Sequence, residues 1–182
     1  MRTLKYAILG LIRRGPVTGY DIAREFRSQA LSNFWHAKHS QIYPELKKLL
    51  EEGLITCEAV LQRGKKKKFY SLTPAGEEDF LQWVQLDEPP EPTPKDVFRL
   101  RIYYADAMEA SRCRQLLESQ REKHRERLQA LEGMNQKFAC HPAVSTPEHG
   151  DYLVLQGAIL REKAYLDWLE LCLREMAFTT SS

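Results

Sequence analysis

Side chains that could contact a polyanion are concentrated in two short stretches of the chain. The first stretch, residues 40–47, offers hydrogen-bonding side chains, and the second, Arg63-Gly-Lys-Lys-Lys67, is strongly basic. Glutamine can pair with adenine through two hydrogen bonds, serine and tyrosine can bond phosphates or base edges, and lysine neutralises phosphates. This chemistry suits a nucleic acid. The candidate contact residues are Ser40, Gln41, Tyr43 and Lys47, followed by Arg63, Lys65, Lys66 and Lys67.

The charge of the chain is divided unevenly along its length. Residues 1–86 carry 14 basic and 9 acidic side chains, a net charge of +5, whereas residues 87–182 carry 13 and 16, a net charge of −3. Only the first part is therefore expected to face a polyanion. A run of four lysines is by itself more often a solvated cluster than a binding surface. The predicted secondary structure around the lysines must therefore show which of the two roles applies.

Other kinds of site find little support in the sequence. Cys140, His141 and His149 lie together without a recognised metal-ligand spacing, and a surface loop is the simpler interpretation. There is no Ser/His/Asp arrangement and no glycine-rich phosphate loop, so we expect no catalysis, no cofactor and no metal. The four scattered cysteines indicate a reducing, cytoplasmic compartment, and we expect neither a secretory signal nor a membrane span.

The elements that would position the candidate residues begin with three helices. Apolar residues at helical spacing predict a first helix that ends at Arg13-Arg-Gly-Pro16. Thr18-Gly-Tyr-Asp21 is typical of a capping box and opens the second helix. Ser40 is expected to cap the third helix, which ends at Gly53.

A hairpin and a fourth helix follow. Residues 54–62 and 68–72 suit strands, and the basic stretch 63–67 between them forms the tip of the predicted hairpin. Thr73-Pro74 then supplies an N-cap and a first-turn proline for a helix to about Leu86. The residues expected on the inner face of that helix are Phe80, Leu81 and Val84.

A proline-rich segment divides the chain. Residues 87–94 contain four prolines, which cannot continue a helix and which favour a stiff, extended connector. We therefore expect one domain over residues 1–86 and a second, helical domain over residues 95–178.

Three helices are predicted after this segment, over about residues 93–106, 109–138 and 146–176, the first opened by Thr93-Pro94. In the last of them, residues spaced three and four apart are apolar over more than three heptads, Glu162 excepted. The apolar stripe is wider than one helix with two helical neighbours needs, so we expect a second copy of the chain to cover it. The expected dimer contacts are Leu155, Ile159, Leu166, Leu169 and Leu173.

The order helix, helix, helix, strand, basic tip, strand is that of a winged helix, in which the helix before the hairpin reads DNA. Within that order the sequence resembles the PadR family of transcriptional regulators. The residues that carry the resemblance are Thr18-Gly-Tyr-Asp-Ile-Ala23, Phe34-Trp-His-Ala37, His39-Ser-Gln-Ile-Tyr-Pro-Glu-Leu46, Leu49-x-x-x-Gly-Leu-Ile55 and Phe69-Tyr-Ser-Leu-Thr-Pro-Ala-Gly76. The second domain is similar to the family's helical C-terminal domain at Gly157, Tyr165, Trp168 and Leu169.

The resemblance implies a mainly α-helical winged helix-turn-helix protein with a small β-hairpin wing and a C-terminal helical dimerisation domain. It assigns Ser40, Gln41 and Tyr43 to the recognition helix and Tyr20 to the start of the second helix, near the DNA backbone. Lys38 stands where the family commonly has a small residue, and lysines replace the prolines common in its wing. We therefore expect strong sequence-independent attraction to phosphates.

The resemblance also implies a small-molecule effector, because many members of the family are released from DNA by aromatic or cationic compounds. The aromatic residues that could line an effector pocket are Phe34, Trp35, Tyr104, Tyr165 and Trp168, although core packing is the simpler role for each. His124 lies on an apolar stripe of the long charged helix, and we interpret it as a core or interface histidine.

The sequence thus predicts a cytoplasmic homodimeric regulator, most simply a repressor that binds an inverted-repeat operator in double-stranded DNA. An activator of the same fold stays open, because nothing in the residues sets the sign of regulation. A winged-helix module that binds an acidic protein, without specific DNA binding, also stays open.

Overall fold

The computed structural model describes residues 2–27, 35, 37–62, 65–90, 93–138 and 140–178, with only the backbone described at residues 62, 65, 177 and 178. The chain divides into two compact units, residues 1–90 and 91–182. The division falls inside the proline-rich segment 87–94. Within the described residues, no helix is long and apolar enough to cross a membrane.

The first unit is a winged helix with a three-stranded antiparallel sheet. The strand order is β1-β3-β2, and β2 pairs with β3 from Ile55↔Leu72 to Gln62↔Lys65. The two-residue strand β1, which was not predicted, pairs Val17 with Tyr70 and is too short for a periodic pattern. The elements are α1 (Thr3–Arg13), β1 (Val17–Thr18), α2 (Gly19–Glu25), α3 (His39–Glu51), β2 (Ile55–Gln62), β3 (Lys65–Leu72) and α4 (Pro74–Val84).

Two predicted helix starts in this unit are confirmed. The Thr18 hydroxyl oxygen accepts the Asp21 backbone N–H at 3.2 Å, and the Asp21 carboxylate accepts the Thr18 backbone N–H at 3.2 Å and its hydroxyl at 2.6 Å. The bond from the Thr18 hydroxyl holds the pKa of Asp21 below its ordinary value. At α4, the Thr73 hydroxyl accepts the Gly76 N–H at 3.0 Å, and Pro74 occupies the first turn.

One apolar core fills the first unit. It takes residues from α1, α2, α3, β2 and β3: Ile8, Leu9, Ile12, Ile22, Ala23, Phe26, Ile42, Leu46, Leu49, Ile55 and Tyr70. Gly76 allows the start of α4 to approach the backbone just before β2, because a Cβ at that position would lie 2.0 Å from the Leu54 carbonyl oxygen.

The inner face of α4 differs from the prediction. Leu81 and Val84 are 37% and 54% exposed, so placing them inward was wrong. The inner positions are Phe80 and Trp83, and the Trp83 ring stacks on Tyr6 of α1 with centroids 4.6 Å apart. These rings set the rotation of the helix, and Leu81 and Val84 then fall on the next stripe toward solvent.

The second unit consists of helices α5 (Val97–Tyr103), α6 (Ala110–Asn135) and α7 (Pro147–Phe178), with a 3₁₀ turn at Ala105–Ala107. The cap of α5 is Asp96 and not Thr93: its Oδ1 accepts the N–H groups of Phe98 at 2.9 Å and of Arg99 at 3.0 Å. A charged acceptor beside the helix N-terminus is a stronger cap than a hydroxyl three residues earlier.

Helices α6 and α7 pack antiparallel and bury the seam that was predicted to form a dimer. Near one end, Cys113 and Leu117 of α6 meet Leu169 and Leu173 of α7; near the other, Leu131 meets Leu155 and Ile159. Residues of the same chain bury Leu155, Ile159, Leu169 and Leu173, so little of their surface is left for the predicted contact with a second copy. Leu166 on the same seam is half-buried.

A charged layer separates the two apolar clusters of this seam. Glu162 is only 3% exposed, and its carboxylate lies 2.5 Å from His124 Nδ1 and 3.3 Å from Arg127 Nε. The interpretation of His124 as a histidine packed at a helix interface is confirmed, since its ring also stacks on Tyr165 with centroids 4.0 Å apart.

Candidate nucleic-acid interface

The outer face of α3 is polar and exposed over its whole length. Ile42, Leu46 and Leu49 are at most 1% exposed and attach the helix to the core. The opposite side carries the predicted contact residues Ser40, Gln41, Tyr43 and Lys47, all of them exposed. A helix fixed on one face and polar on the other can enter a DNA groove without disturbing its own core.

The start of α3 differs from the predicted cap. The helix begins at His39, so Lys38 and not Ser40 is its N-cap residue. Lysine has no acceptor atom, and the bond that stabilises this end comes instead from Gln41, whose Oε1 accepts the Lys38 backbone N–H at 2.9 Å. Ser40, released from capping, lies exposed in the first turn.

Two tyrosines extend this face toward α2. Tyr20 and Tyr43 are 61% and 46% exposed. A Cβ on Gly19 would lie 2.9 Å from Cε1 of Tyr43, so glycine allows the start of α2 to approach α3 this closely. Gly19 is a residue that sequence reasoning missed, although its place in the Thr18–Asp21 capping box was the available signal.

The basic hairpin is longer and more regular than predicted. The β2–β3 ladder continues to Gln62↔Lys65, so residues 65–67 belong to a strand and not to the predicted hairpin tip. Lys66 and Lys67 are exposed, and because strand residues alternate, Lys66 and Lys68 share one face while Lys67 lies on the other. For Lys65 only the backbone is described, and Arg63 lies outside the described residues.

Arg2, directly before α1, binds two glutamates at the C-terminal half and end of α3. Arg2 Nε donates to Glu45 Oε1 at 2.8 Å, and its Nη atoms donate to the two Glu52 oxygens at 2.5 and 2.9 Å. Glu45 is 7% exposed. The bonds from Arg2 hold the pKa of Glu52 below its ordinary value. The contact between Arg2 and Glu45 joins residues 43 positions apart, and the spacing of Glu45 and Glu52 along the chain did not predict it.

The aromatic residues that were predicted to line an effector pocket belong to both units of the chain, and each unit is described by itself. Phe34 lies outside the described residues. Trp35 packs on the core of the first unit, whereas Tyr104 is 58% exposed and contacts only Tyr103 among the rings of the described chain. Tyr165 and Trp168 do lie together, with ring centroids 5.2 Å apart.

Tyr165 and Trp168 form a cluster with two charged residues, Asp96, which caps α5, and Arg99 in its first turn. The Arg99 guanidinium lies 4.9 Å from each ring centroid, and the Tyr165 hydroxyl donates to Asp96 Oδ2 at 2.8 Å. Burial, helped by Asp96, raises the pKa of Tyr165. Burial would also raise the pKa of Asp96, but the N–H donors of α5 and the Tyr165 hydroxyl outweigh it and lower that pKa.

His141 lies in the loop before α7, whereas His149 lies in the first turn of α7 and not in the predicted surface loop, and both take part in local hydrogen bonds. His141 Nε2 lies 3.0 Å from the Tyr152 hydroxyl, and His149 Nδ1 lies 3.2 Å from the Pro142 carbonyl oxygen. Cys140 is exposed. Across the described residues, no group of three or more His, Cys, Asp or Glu side chains is arranged to hold a metal ion.

Comparisons with known proteins cover both units. Residues 8–82 match the transcriptional regulator PadR-like family, and residues 94–177 match the virulence activator alpha C-terminal family. The chain is 44% identical over 174 residues to the negative transcriptional regulator PadR of Bacillus subtilis (strain 168), covering 93% of this chain and 95% of the relative.

Two crystal structures of Bacillus subtilis PadR resemble the whole chain. The complex with operator DNA matches with a TM-score of 0.91 at 43% identity, over 96% of this chain and 99% of the other. The complex with p-coumaric acid matches with a TM-score of 0.84 at 41% identity, over 97% and 99%.

Proposed function

Because the chain belongs to the PadR-like family of transcriptional regulators, we propose that it is a homodimeric, cytoplasmic repressor that binds an inverted-repeat DNA operator and is not an enzyme. The observation that carries the proposal is the exposed polar face of α3, held over a fully buried apolar face. The Bacillus subtilis relative has been crystallised with operator DNA, which agrees with this use of the fold.

The α3 face and the hairpin make different kinds of contact with DNA. The first turn of α3 offers Ser40 and Gln41 to base edges, since the first residues of a recognition helix are those that reach into the major groove. The exposed Lys66 and Lys67, with Tyr20 and Tyr43, offer charge and hydroxyl groups to phosphates. Specificity should therefore depend on α3, and most of the salt-dependent affinity on the lysines.

The proposal is tested by selecting random duplex DNA with the purified protein at about 150 mM salt, near physiological ionic strength. We expect enrichment of an inverted repeat whose half-sites lie about one helical turn apart, roughly 34–36 Å. Recovery of no preferred sequence would contradict the proposal and favour the protein-interaction module, in which the lysines bind an acidic partner. A reporter fused to the selected site then tells repression from activation.

Lysine and glutamine variants test the division of work. Lys66→Ala should weaken binding to specific and random duplexes alike and lower the salt slope by about one per subunit. Gln41→Ala should weaken the specific complex more than the random one. Lys137→Ala, a change of the same kind at an exposed position of the second unit, is the matched control and should change neither quantity.

We further propose that the dimer forms through the outer stripe of α7, which we define as Leu153, Gly157, Leu160, Ala164 and Leu171. These residues recur three, four and seven apart, as helix-packing residues do, and all are exposed. Leu153, Leu160 and Leu171 are 54%, 64% and 45% exposed, which is costly for leucine in water. Gly157 and Ala164 between them leave room for a second helix to approach closely.

A second binding function is supported by the cluster of Asp96, Arg99, Tyr165 and Trp168. Two aromatic rings in contact, with a guanidinium 4.9 Å from both, suit a small aromatic carboxylate, and the Bacillus subtilis relative has been crystallised with p-coumaric acid. We propose that such an acid binds at this cluster and releases the protein from DNA.

The effector proposal is tested by titrating the protein–operator complex with p-coumaric acid. Arg99→Gln should raise the concentration needed for release about tenfold, the cost of one charge-assisted hydrogen bond. Arg101→Gln, an exposed arginine on the same helix, is the matched control. If wild type and Arg99→Gln respond alike, the cluster does not hold the effector.

A further inference from the structure

Gln41 has a geometry that limits what it can recognise. It lies at the third position of α3, in the turn that would enter the DNA groove, and it is exposed. Its Oε1 already accepts the backbone N–H of Lys38 at 2.9 Å. The acceptor half of the amide is therefore in use before any ligand arrives.

The bond to Lys38 stabilises the start of the recognition helix. The first N–H groups of a helix have no partner inside the helix, and the Lys38 side chain has no acceptor with which to form the other half of a capping box. In the described chain, the side-chain acceptor at this helix start is Gln41. Turning the amide away leaves the Lys38 N–H to water and weakens the end of the recognition helix.

The bases differ in whether they need both halves of an amide. Adenine presents an N6 amino donor beside the N7 acceptor, so a bidentate pair requires the glutamine oxygen and nitrogen in the plane of the base. Guanine N7 and O6, thymine O4 and adenine N7 taken alone are acceptors and require only a donor. With Oε1 drawn back toward the helix backbone, Gln41 keeps its Nε2 donor for the second kind of edge.

We propose that Gln41 is a specificity-determining residue that reads a hydrogen-bond acceptor of one base, a purine N7, guanine O6 or thymine O4, through Nε2, and does not form the bidentate pair with adenine. The inference rests on the proposed function, because it presupposes a specific operator. It replaces the adenine pairing that the residue type alone suggested with a pairing that the helix cap dictates.

The experiment is a double-mutant cycle between Gln41→Ala and single-atom changes in the selected operator. Deaza-purines remove N7, 2-aminopurine in place of guanine removes O6, 5-methyl-2-pyrimidinone in place of thymine removes O4, and unsubstituted purine in place of adenine removes the N6 amino group. Affinities are measured for wild type and variant on every duplex. The cycle cancels any general effect of the unnatural base.

One acceptor deletion is expected to weaken wild type about 2- to 10-fold and to leave Gln41→Ala unaffected, as one lost hydrogen bond would. No deletion of an N6 amino group should couple to Gln41. Coupling to an N6 amino group overturns the proposal in favour of the adenine pair. Coupling to no base atom also overturns it and leaves Gln41 as a cap only.

A second variant separates the cap from the contact. Gln41→Glu keeps an oxygen for the Lys38 N–H but has no donor, so it should melt like wild type while losing the same coupling as Gln41→Ala. If Gln41→Glu keeps the coupling, Nε2 is not the contact atom. If the proposed function is wrong, the selection of random duplex DNA shows it first, because the wild-type protein then has no sequence preference.

Discussion

The two units of this chain bury their apolar surface in different ways. In the first unit, residues from three helices and two strands converge on a single core. In the second unit, α6 and α7 share one seam that Glu162 and His124 interrupt, and apolar residues of α5 and α7 stay in solvent. Exposed in this way are Val97, Leu100, Leu153, Leu160 and Leu171.

This difference indicates a division of tasks. A surface that reads DNA must keep its shape before the ligand arrives, and the first unit provides that with a complete core beneath α3. In the second unit, Leu153, Leu160 and Leu171 form a row of exposed leucines along α7, and such a row is typical of a protein–protein interface. We infer that the first unit is stable by itself, whereas the second is completed by another copy of the chain.

Removing the apolar contact of the outer stripe should have the largest effect. Leu160→Asp places a charge on the proposed dimer interface, and we expect a monomer whose operator affinity falls about 100-fold or more, because bivalent binding is lost. Sedimentation and operator titration measure the two quantities. Gln129→Asp, at an exposed position of α6, should leave both unchanged. If Leu160→Asp remains dimeric, the stripe is not the interface.

Two glycine variants compare how tightly the units are built. Gly76→Ala would place a Cβ 2.0 Å from the Leu54 carbonyl oxygen, which is backbone and cannot rotate away, so we expect a loss of more than about 3 kcal/mol in unfolding free energy. Gly133→Ala in α6 meets no described atom within 4 Å and should gain about 0.5–1 kcal/mol from helix propensity. Urea denaturation measures both changes in unfolding free energy. Similar changes for the two variants would contradict the prediction that the first unit is more tightly packed at Gly76 than the second is at Gly133.

Ion pairs provide a third comparison. Arg2→Ala leaves Glu45 buried without its partner, and we expect a loss of about 1–2 kcal/mol, less than for a fully buried pair because Arg2 is half-exposed. Adding Glu45→Gln should recover part of that loss. Lys163→Ala breaks a solvent-exposed pair with Glu132 in the second unit and should cost less than about 0.5 kcal/mol. Equal losses would contradict the greater burial of the first pair.

Acid should reduce stability through carboxylates whose pKa values lie below their ordinary values, among them Asp21. A group with a lowered pKa in the folded state contributes stability above its ordinary pKa, and this contribution is lost as pH falls through the folded value. Asp21→Asn should therefore be about 0.5–1 kcal/mol less stable at neutral pH, the size of a capping interaction, and the difference should shrink as pH falls below the ordinary pKa of an aspartate. Thermal melts from pH 7 to 3 measure this, with Asp87→Asn as the control. A constant difference at every pH would contradict the prediction.

The elements of the first unit could be predicted closely because their signals are local. The Thr18–Asp21 capping box and the Thr73-Pro74 start each depend on groups within three residues of one another, and the helices begin where these signals place them. The cap of α3 could not be predicted in this way. Lys38 is not a capping residue by type, and Gln41 supplies its acceptor only through the side-chain conformation it adopts.

The sequence predicted which residues form the exposed face of the candidate site, but it did not predict the residues that hold them in position. Ser40, Gln41, Tyr43 and Lys47 share the exposed face of α3, as helical spacing implied. Gly19 beneath Tyr43 and Arg2 behind Glu45 were missed, because each acts on a residue distant in sequence. The rings of Tyr165 and Trp168 lie together, but their partners Asp96 and Arg99 come from another helix.

By itself, the sequence determined the helices, the hairpin, the proline-rich division and the polar face of α3, since each follows from spacing or from contacts between near neighbours. The tertiary structure decided which apolar stripe of α7 is buried within the chain and which is left exposed. Leu155, Ile159, Leu169 and Leu173 look the same in sequence as Leu153, Leu160 and Leu171. Only the position of α6 separates the two sets, because a helix covers one side of its neighbour and leaves the other to solvent or to a partner.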